Sequence, residues 1–169
     1  MILLGKGTFY INDVPIGLTR GGGQFVVERE TRPIAADGDK GIVKGRVVMD
    51  SSVPKLTMNS LEVINENIDK MYCAIKKIVD EANTKTKVTG TSKITEKDFN
   101  ATCSWIGKTK NGKEVIITIH DAINLENLDW GLADKDEVVG TLTYTACYDD
   151  AMTEAEKEEY EPWEVEWIN

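Results

Sequence analysis

Histidine is nearly absent: His120 is the only one in 169 residues. A metal site would need partners for it, and nucleophilic catalysis would need it beside a serine or cysteine. Its neighbour Asp121 is adjacent in sequence, so on a strand the two side chains point to opposite faces. Cysteines are few, isolated and odd in number (Cys73, Cys103, Cys147), with no CxxC or HExxH anywhere. They read as reduced, semi-buried small hydrophobes. No apolar run approaches the ~20 residues that span a bilayer. The opening MILLGKGTFY has neither a basic n-region nor a cleavage site, so a reducing cytoplasm is the expected place of synthesis. Nothing forms a basic stripe, which argues against a sequence-reading DNA binder.

The motifs that promise chemistry fail on their details. Asp37-Gly38-Asp39-Lys40-Gly41 begins like a calcium loop, but lacks the third oxygen ligand and the closing glutamate. Gly5-Lys6-Gly7 and Gly21-Gly22-Gly23 lack the GK[ST] of a phosphate loop and open no helix, so they read as turn glycines. No catalytic residue, metal or cofactor is expected, and nucleophile, base and orienter cannot be assembled from these residues.

What is present is charge asymmetry and strand patterning. The formal net charge is −9, and residues 149–166 hold nine acids against the single base Lys157. This acidic segment reads either as a solvated tail or as a negative surface that repels nucleic acid. Within it Trp163, Val165 and Trp167 alternate with Glu164 and Glu166, the pattern of a terminal edge strand, so docking is favoured over a disordered brush.

Asn12-Asp13 between Thr8–Ile11 and Val14–Leu18 predicts a tight hairpin. After the glycines a strand is expected at about Gln24–Glu30, then a long polar loop over residues 31–41. Strands at Ile42–Asp50 and Lys55–Ile64 are expected next, joined through Ser51-Ser52-Val53-Pro54. Ile64, Ile68, Met71, Tyr72, Ile75, Ile78, Val79 and Ala82 recur at helical spacing. They predict one amphipathic helix capped by Asn65 or Asn67, ended by Asn83-Thr84, and packed by one face on a sheet. Lys110-Asn111-Gly112-Lys113 signals a hairpin of type I′ between a strand carrying Phe99, Ala101, Cys103 and Trp105 and one carrying Val115, Ile117 and Ile119. Val138–Tyr148 alternates strongly, with Leu142, Tyr144 and Ala146 on one face, and Asn124–Asp136 reads as loop. The expected architecture is a single mainly β domain over residues 1–169, a β-sandwich or rolled sheet with one amphipathic helix packed on it.

Thr8–Gly17 (TFYINDVPIG), the glycine link to Gln24–Glu30, the polar loop, and Gly41–Val48 leading through Pro54-Lys55-Leu56-Thr57 together resemble the major tail (tail tube) proteins of long-tailed phages of Gram-positive bacteria. The resemblance covers roughly the first half by motif and the second by pattern. It implies a tail-tube-like sandwich, six copies per ring, and rings stacked into a hollow tube with a negative lumen through which genomic DNA passes without specific binding. It further implies tape-measure, tail-terminator and distal tail proteins as partners, and residence in the virion tail after synthesis in the host bacterial cytoplasm, with no membrane and no enzymatic activity. In that frame Arg32, Ile34, Asp37, Asp39 and Lys40 are candidates for inter-ring contacts through the loop. Glu28, Glu30, Asp50 and Glu62 are candidates for lumen charge. The competing reading is a β-sandwich baseplate adaptor or carbohydrate-binding module, with Trp105 and Trp130 as a sugar platform.

Overall fold

Asn12 and Asp13, at φ 47° and 63°, fold the chain back between strand β1 (Leu3–Ile11) and the short β2 (Val14–Pro15), the tight hairpin that their tolerance of positive φ predicts. The computed structural model describes residues 2–62 and 67–168. The remaining strands are β3 (Thr19–Pro33), β4 (Val47–Ser60), β5 (Ile75–Asp80), β6 (Lys85–Gly90), β7 (Asn100–Thr109), β8 (Glu114–Asn124), β9 (Gly140–Thr145) and β10 (Trp163–Ile168). Among the described residues the connections hold two short α-helices, α1 (Ile68–Met71) and α2 (Glu154–Glu159), and a 3-10 turn at Glu96–Asp98. All the pairings between these strands are antiparallel, as expected for a mainly β chain.

One sheet runs β2-β1-β7-β8-β10 and the other β3-β4-β9, with β8 common to both. Up to Ala122, β8 pairs with β7; beyond it, Ile123 and Asn124 pair with β9. Asp121 at φ 48° marks the bend where the strand changes sheet. The inner faces meet in one core: Phe9, Cys103, Trp105 and Ile119 from the first sheet, Leu56, Met58, Leu142 and Tyr144 from the second. The β7–β8 hairpin lies at residues 110–113 as expected, but its turn differs. Only Gly112 takes positive φ, and Gly112 N–H donates to the Thr109 carbonyl while Thr109 N–H donates to that of Lys113. This is a type I turn with a glycine bulge in place of type I′.

The long helix expected from Ile64 to Ala82 does not form. Ile64 and Asn65 lie outside the described residues; the helix is confined to Ile68–Met71, and the chain then enters the β5–β6 hairpin. Ala74 at φ 54° breaks the helical path, with its N–H donating to Asp98 Oδ1 and its carbonyl accepting from Thr91 N–H. Ile75, Ile78 and Val79 are β-branched, and the alternating Lys85–Gly90 offers them a partner strand, an arrangement that helical spacing alone does not reveal. Ile68 and Met71 do pack into the core. The last carbonyls of α1 are taken by side chains from the sheets: Asn100 Nδ2 and Tyr144 O–H donate to the Lys70 carbonyl, and Asn124 Nδ2 to that of Met71. These bonds fasten the turn across the end of the sandwich.

Further boundaries shift: the strand expected at Gln24–Glu30 runs from Thr19 to Pro33, the glycines expected in turns lie within β1 and β3, and the strand expected at 138–148 is confined to Gly140–Thr145. The strands expected at Ile42–Asp50 and Lys55–Ile64 are one continuous β4, which runs straight through Ser51–Pro54 because Ser52, Pro54, Leu56 and Met58 share its inner face. The loop expected at 31–41 begins after Pro33 and ends before Val47. The acidic segment holds α2, capped by a Thr153–Glu156 box, and β10, which pairs residue for residue with β8 as the alternating tryptophans predict.

Candidate assembly surfaces

β3 and β4 outrun the rest of their sheet. β9 pairs with β4 only from Lys55 to Ser60, so residues 28–53 pair as two strands alone, lie against the α2 segment near Arg29 and Ser52, and end in an arm closed by the 34–46 loop. Two-stranded ribbons are marginal alone, and this one is tied by charge. Arg32 donates from Nε and Nη2 to the two oxygens of Asp50, at 3.1 and 3.2 Å. Arg46 Nη2 donates to Asp39 Oδ1 at 2.7 Å, while Asp39 Oδ2 accepts from Ala36 N–H. Ile34 N–H donates to the Arg46 carbonyl. Of the five loop candidates, then, Arg32 and Asp39 hold the arm in shape, and Ile34, Asp37 and Lys40 are exposed.

The arm also exposes residues that the strand pattern assigns to a core. Ile42 is 75% exposed, and Val47 and Met49 are half exposed. Val47-Val48-Met49 is a buried-strand run in sequence. A register shift between Glu30 and Thr31, with Asp50 bulged, carries it beyond the core.

The candidate lumen acids separate into pairs. Glu28 and Glu30 lie on the outer face of the second sheet, in register with Val53 and Ser51. That face continues through Lys55, Thr57 and Asn59 to Thr141, Thr143 and Thr145 of β9. Lys55 Nζ reaches Glu28 Oε2 at 2.6 Å, and Asp50 is held by Arg32. Glu30 accepts from Ser51 Oγ, and Glu62 sits at the far end of β4 against Gly17. The face is consequently hydroxyl-rich and close to neutral. The negative charge lies instead on the α2 segment and on the loop from Asn124 to Glu137, where Arg20 binds Asp136 and Glu137.

Between the sheets, β10 and β3 meet at a seam. The Trp163 and Phe25 rings stand 5.6 Å apart, Arg29 Nη2 pairs with Glu161 at 2.9 Å, and Trp163 Nε1–H donates to the same carboxylate. Burial raises the Glu161 pKa, but the bonds from Trp163 and Arg29 outweigh it and hold the carboxyl below its ordinary value. Ser52 Oγ contributes in the same direction, although it is buried and completes no well-aligned hydrogen bond. Because the folded pKa is depressed, this stabilisation is complete above the unfolded carboxyl value, about 4.3, and is lost as pH falls through the folded value. Acidification below about pH 4 is therefore expected to loosen β10, read as a red shift in tryptophan emission. Glu161→Gln should flatten that acid limb; identical limbs in the two proteins would contradict the assignment.

Trp105 and Trp130 are the two that the competing reading offers for a sugar platform. Trp105 is 8% exposed, sunk in the core over Gly7 and Gly107, and Trp130 donates from Nε1 to Tyr72 O–H at 3.2 Å. His120 Nε2 lies 3.3 Å from Glu164 Oε1 of β10. Burial pushes the thiols of Cys73, Cys103 and Cys147 upward, with Asp98 adding to it at Cys73 and Asp121 at Cys147. Among the described residues no group of three histidine, cysteine or acidic side chains is placed to hold a metal ion. Compared with known proteins, the chain matches no family model and no curated protein.

Proposed function

We propose that this chain is the structural subunit of a phage tail tube, which self-assembles into six-membered rings that stack into a hollow conduit for DNA. The observation that carries this reading is the arm: a charged two-stranded extension that holds Ile34, Ile42, Val47 and Met49 in water and gains by covering them with another copy. Around the ring, the hydroxyl-rich sheet has open edges at β3 and along β9, and pairing β3 of one copy with β9 of the next closes edges that would otherwise aggregate. A Thr- and Ser-rich face with paired charges suits a wet channel wall that does not grip phosphates. Glu30, on that face and bonded only to the neutral Ser51, is the acid best placed to add negative charge there. Tape-measure, terminator and distal tail proteins are the partners this role requires, in a virion tail.

Sedimentation velocity across a concentration series tests the arm. The intact chain is expected to reach species of six copies and more. A chain lacking residues 36–44, with the ends joined by glycines beyond the Ile34–Arg46 hydrogen bond, should stop at monomers or single rings. Equal growth by the shortened chain would remove the arm from stacking.

A further inference from the structure

We propose that the cleft between α1, the β5–β6 hairpin and the loop from Asn124 to Glu137 receives the arm tip of a second copy of this chain. This deepens the tail-tube reading and rests on it. The two surfaces lie at opposite ends of the molecule. β4 begins at the arm with Val47 and ends at Ser60, so its length of 14 residues separates them by roughly 45 Å. At that far end Ser60 pairs with Gly140, and a side chain on Gly140 would press against the Tyr72 hydroxyl and lie beside Trp130 Nε1. Tyr72 and Trp130 line the cleft.

The cleft encloses about 360 Å³ and is walled by Ile68, Tyr72, Ile75, Val88, Leu128 and Trp130, with Glu126 at its side. Its apolar walls reach the surface, since Leu128 is 53% exposed. The loop on one rim is acidic. Arg20 neutralises part of Asp136 and Glu137; Glu126, which lines the cleft, is exposed, as is Asp129, which lies in sequence between the lining Leu128 and Trp130. Lys76 and Lys77 of the hairpin line a different cleft, together with Lys93 and Lys97.

The arm tip complements this surface. Ile42, the most exposed apolar residue of the arm, stands between the exposed Lys40 and Lys44. One apolar knob flanked by two cations matches an apolar cleft that has the Glu126 carboxylate in its wall and Asp129 on the same loop. Joining a tip to a cleft at the other end is a heterologous contact: each copy leaves a tip and a cleft open, so copies add in line.

Zero-length carbodiimide coupling tests the assignment, on the full chain mixed from isotopically light and heavy batches, with particles followed by electron microscopy. The expected result is Lys40 or Lys44 of one copy joined to Glu126 or Asp129 of another. Lys40→Glu with Lys44→Glu should weaken stacking by roughly tenfold, and adding Glu126→Lys with Asp129→Lys should restore it. Stacked particles whose arm lysines couple instead to α2 acids such as Glu154 and Glu158 would overturn the cleft and leave the tail-tube reading in place. No particle larger than a monomer at any concentration, also with preformed tail tubes supplied as seeds, would overturn both.

Discussion

Trp105→Ala is expected to cost roughly 3–5 kcal/mol, the range for deleting a buried large aromatic from a core that cannot collapse into the gap. The indole lies across Gly7 of β1 and Gly107 of its own strand, a pair in direct register, so two missing side chains form the slot that it fills. Neither flank can move in to replace it. Against a total stability of roughly 5–15 kcal/mol this is a large fraction, and it corresponds to a fall in melting temperature of roughly 10 °C. The slot makes a second, sharper statement. A methyl at Gly107 would collide with the indole ring, so Gly107→Ala alone should cost roughly 1–3 kcal/mol through overpacking. In the Trp105→Ala background the collision disappears. The double variant should therefore lose less than the two single variants added together. Additive losses in denaturant unfolding would contradict this account of the slot.

Ending the chain at Tyr160 is the other change with a large expected effect. It removes β10 and with it six paired residues on β8, the Phe25–Trp163 contact and the Arg29–Glu161 pair. Burying one large apolar side chain contributes roughly 1.5–3 kcal/mol, and Trp163 and Val165 both lie on the inward face. The loss also uncovers β8 along Val115–Ile119, a β-branched run with high strand propensity and no charge. The shortened protein is expected to melt at least several degrees lower and to form thioflavin-positive aggregates on warming. An unchanged melting curve with a monodisperse product would show that β10 only rests on the sheet.

The contrast between β10 and the missing long helix shows what the sequence makes legible. Trp163, Val165 and Trp167 alternate over a segment too short for any other reading, and the register with β8 follows. Asn12-Asp13 and Asn111-Gly112 mark turns because their backbone preferences are local. The stretch from Ile68 to Val79 satisfies helical spacing equally well, yet its outcome depends on the downstream strand Lys85–Gly90 and on Asp98 holding the Ala74 amide. No local pattern carries that information. The arm was half visible: its polarity and turn residues read as a loop, but Val47–Met49 reads as core. Only the bulge at Asp50 and the early end of β9 place it in solvent. Likewise, Leu125, Leu128 and Leu132 are interleaved with acids in a segment read as plain loop. Their exposure, which gives that loop an apolar and negative surface, appears only when the sheets are assembled.

The central claim, that this chain builds a tube, is tested most directly by negative-stain electron microscopy of the purified protein over a concentration series. The account predicts six-fold rings at moderate concentration and hollow stacked tubes at high concentration, with the 36–44 deletion stopping at rings or monomers. Uniform monomers at every concentration, also when supplied with preformed tail tubes as seeds, would contradict it.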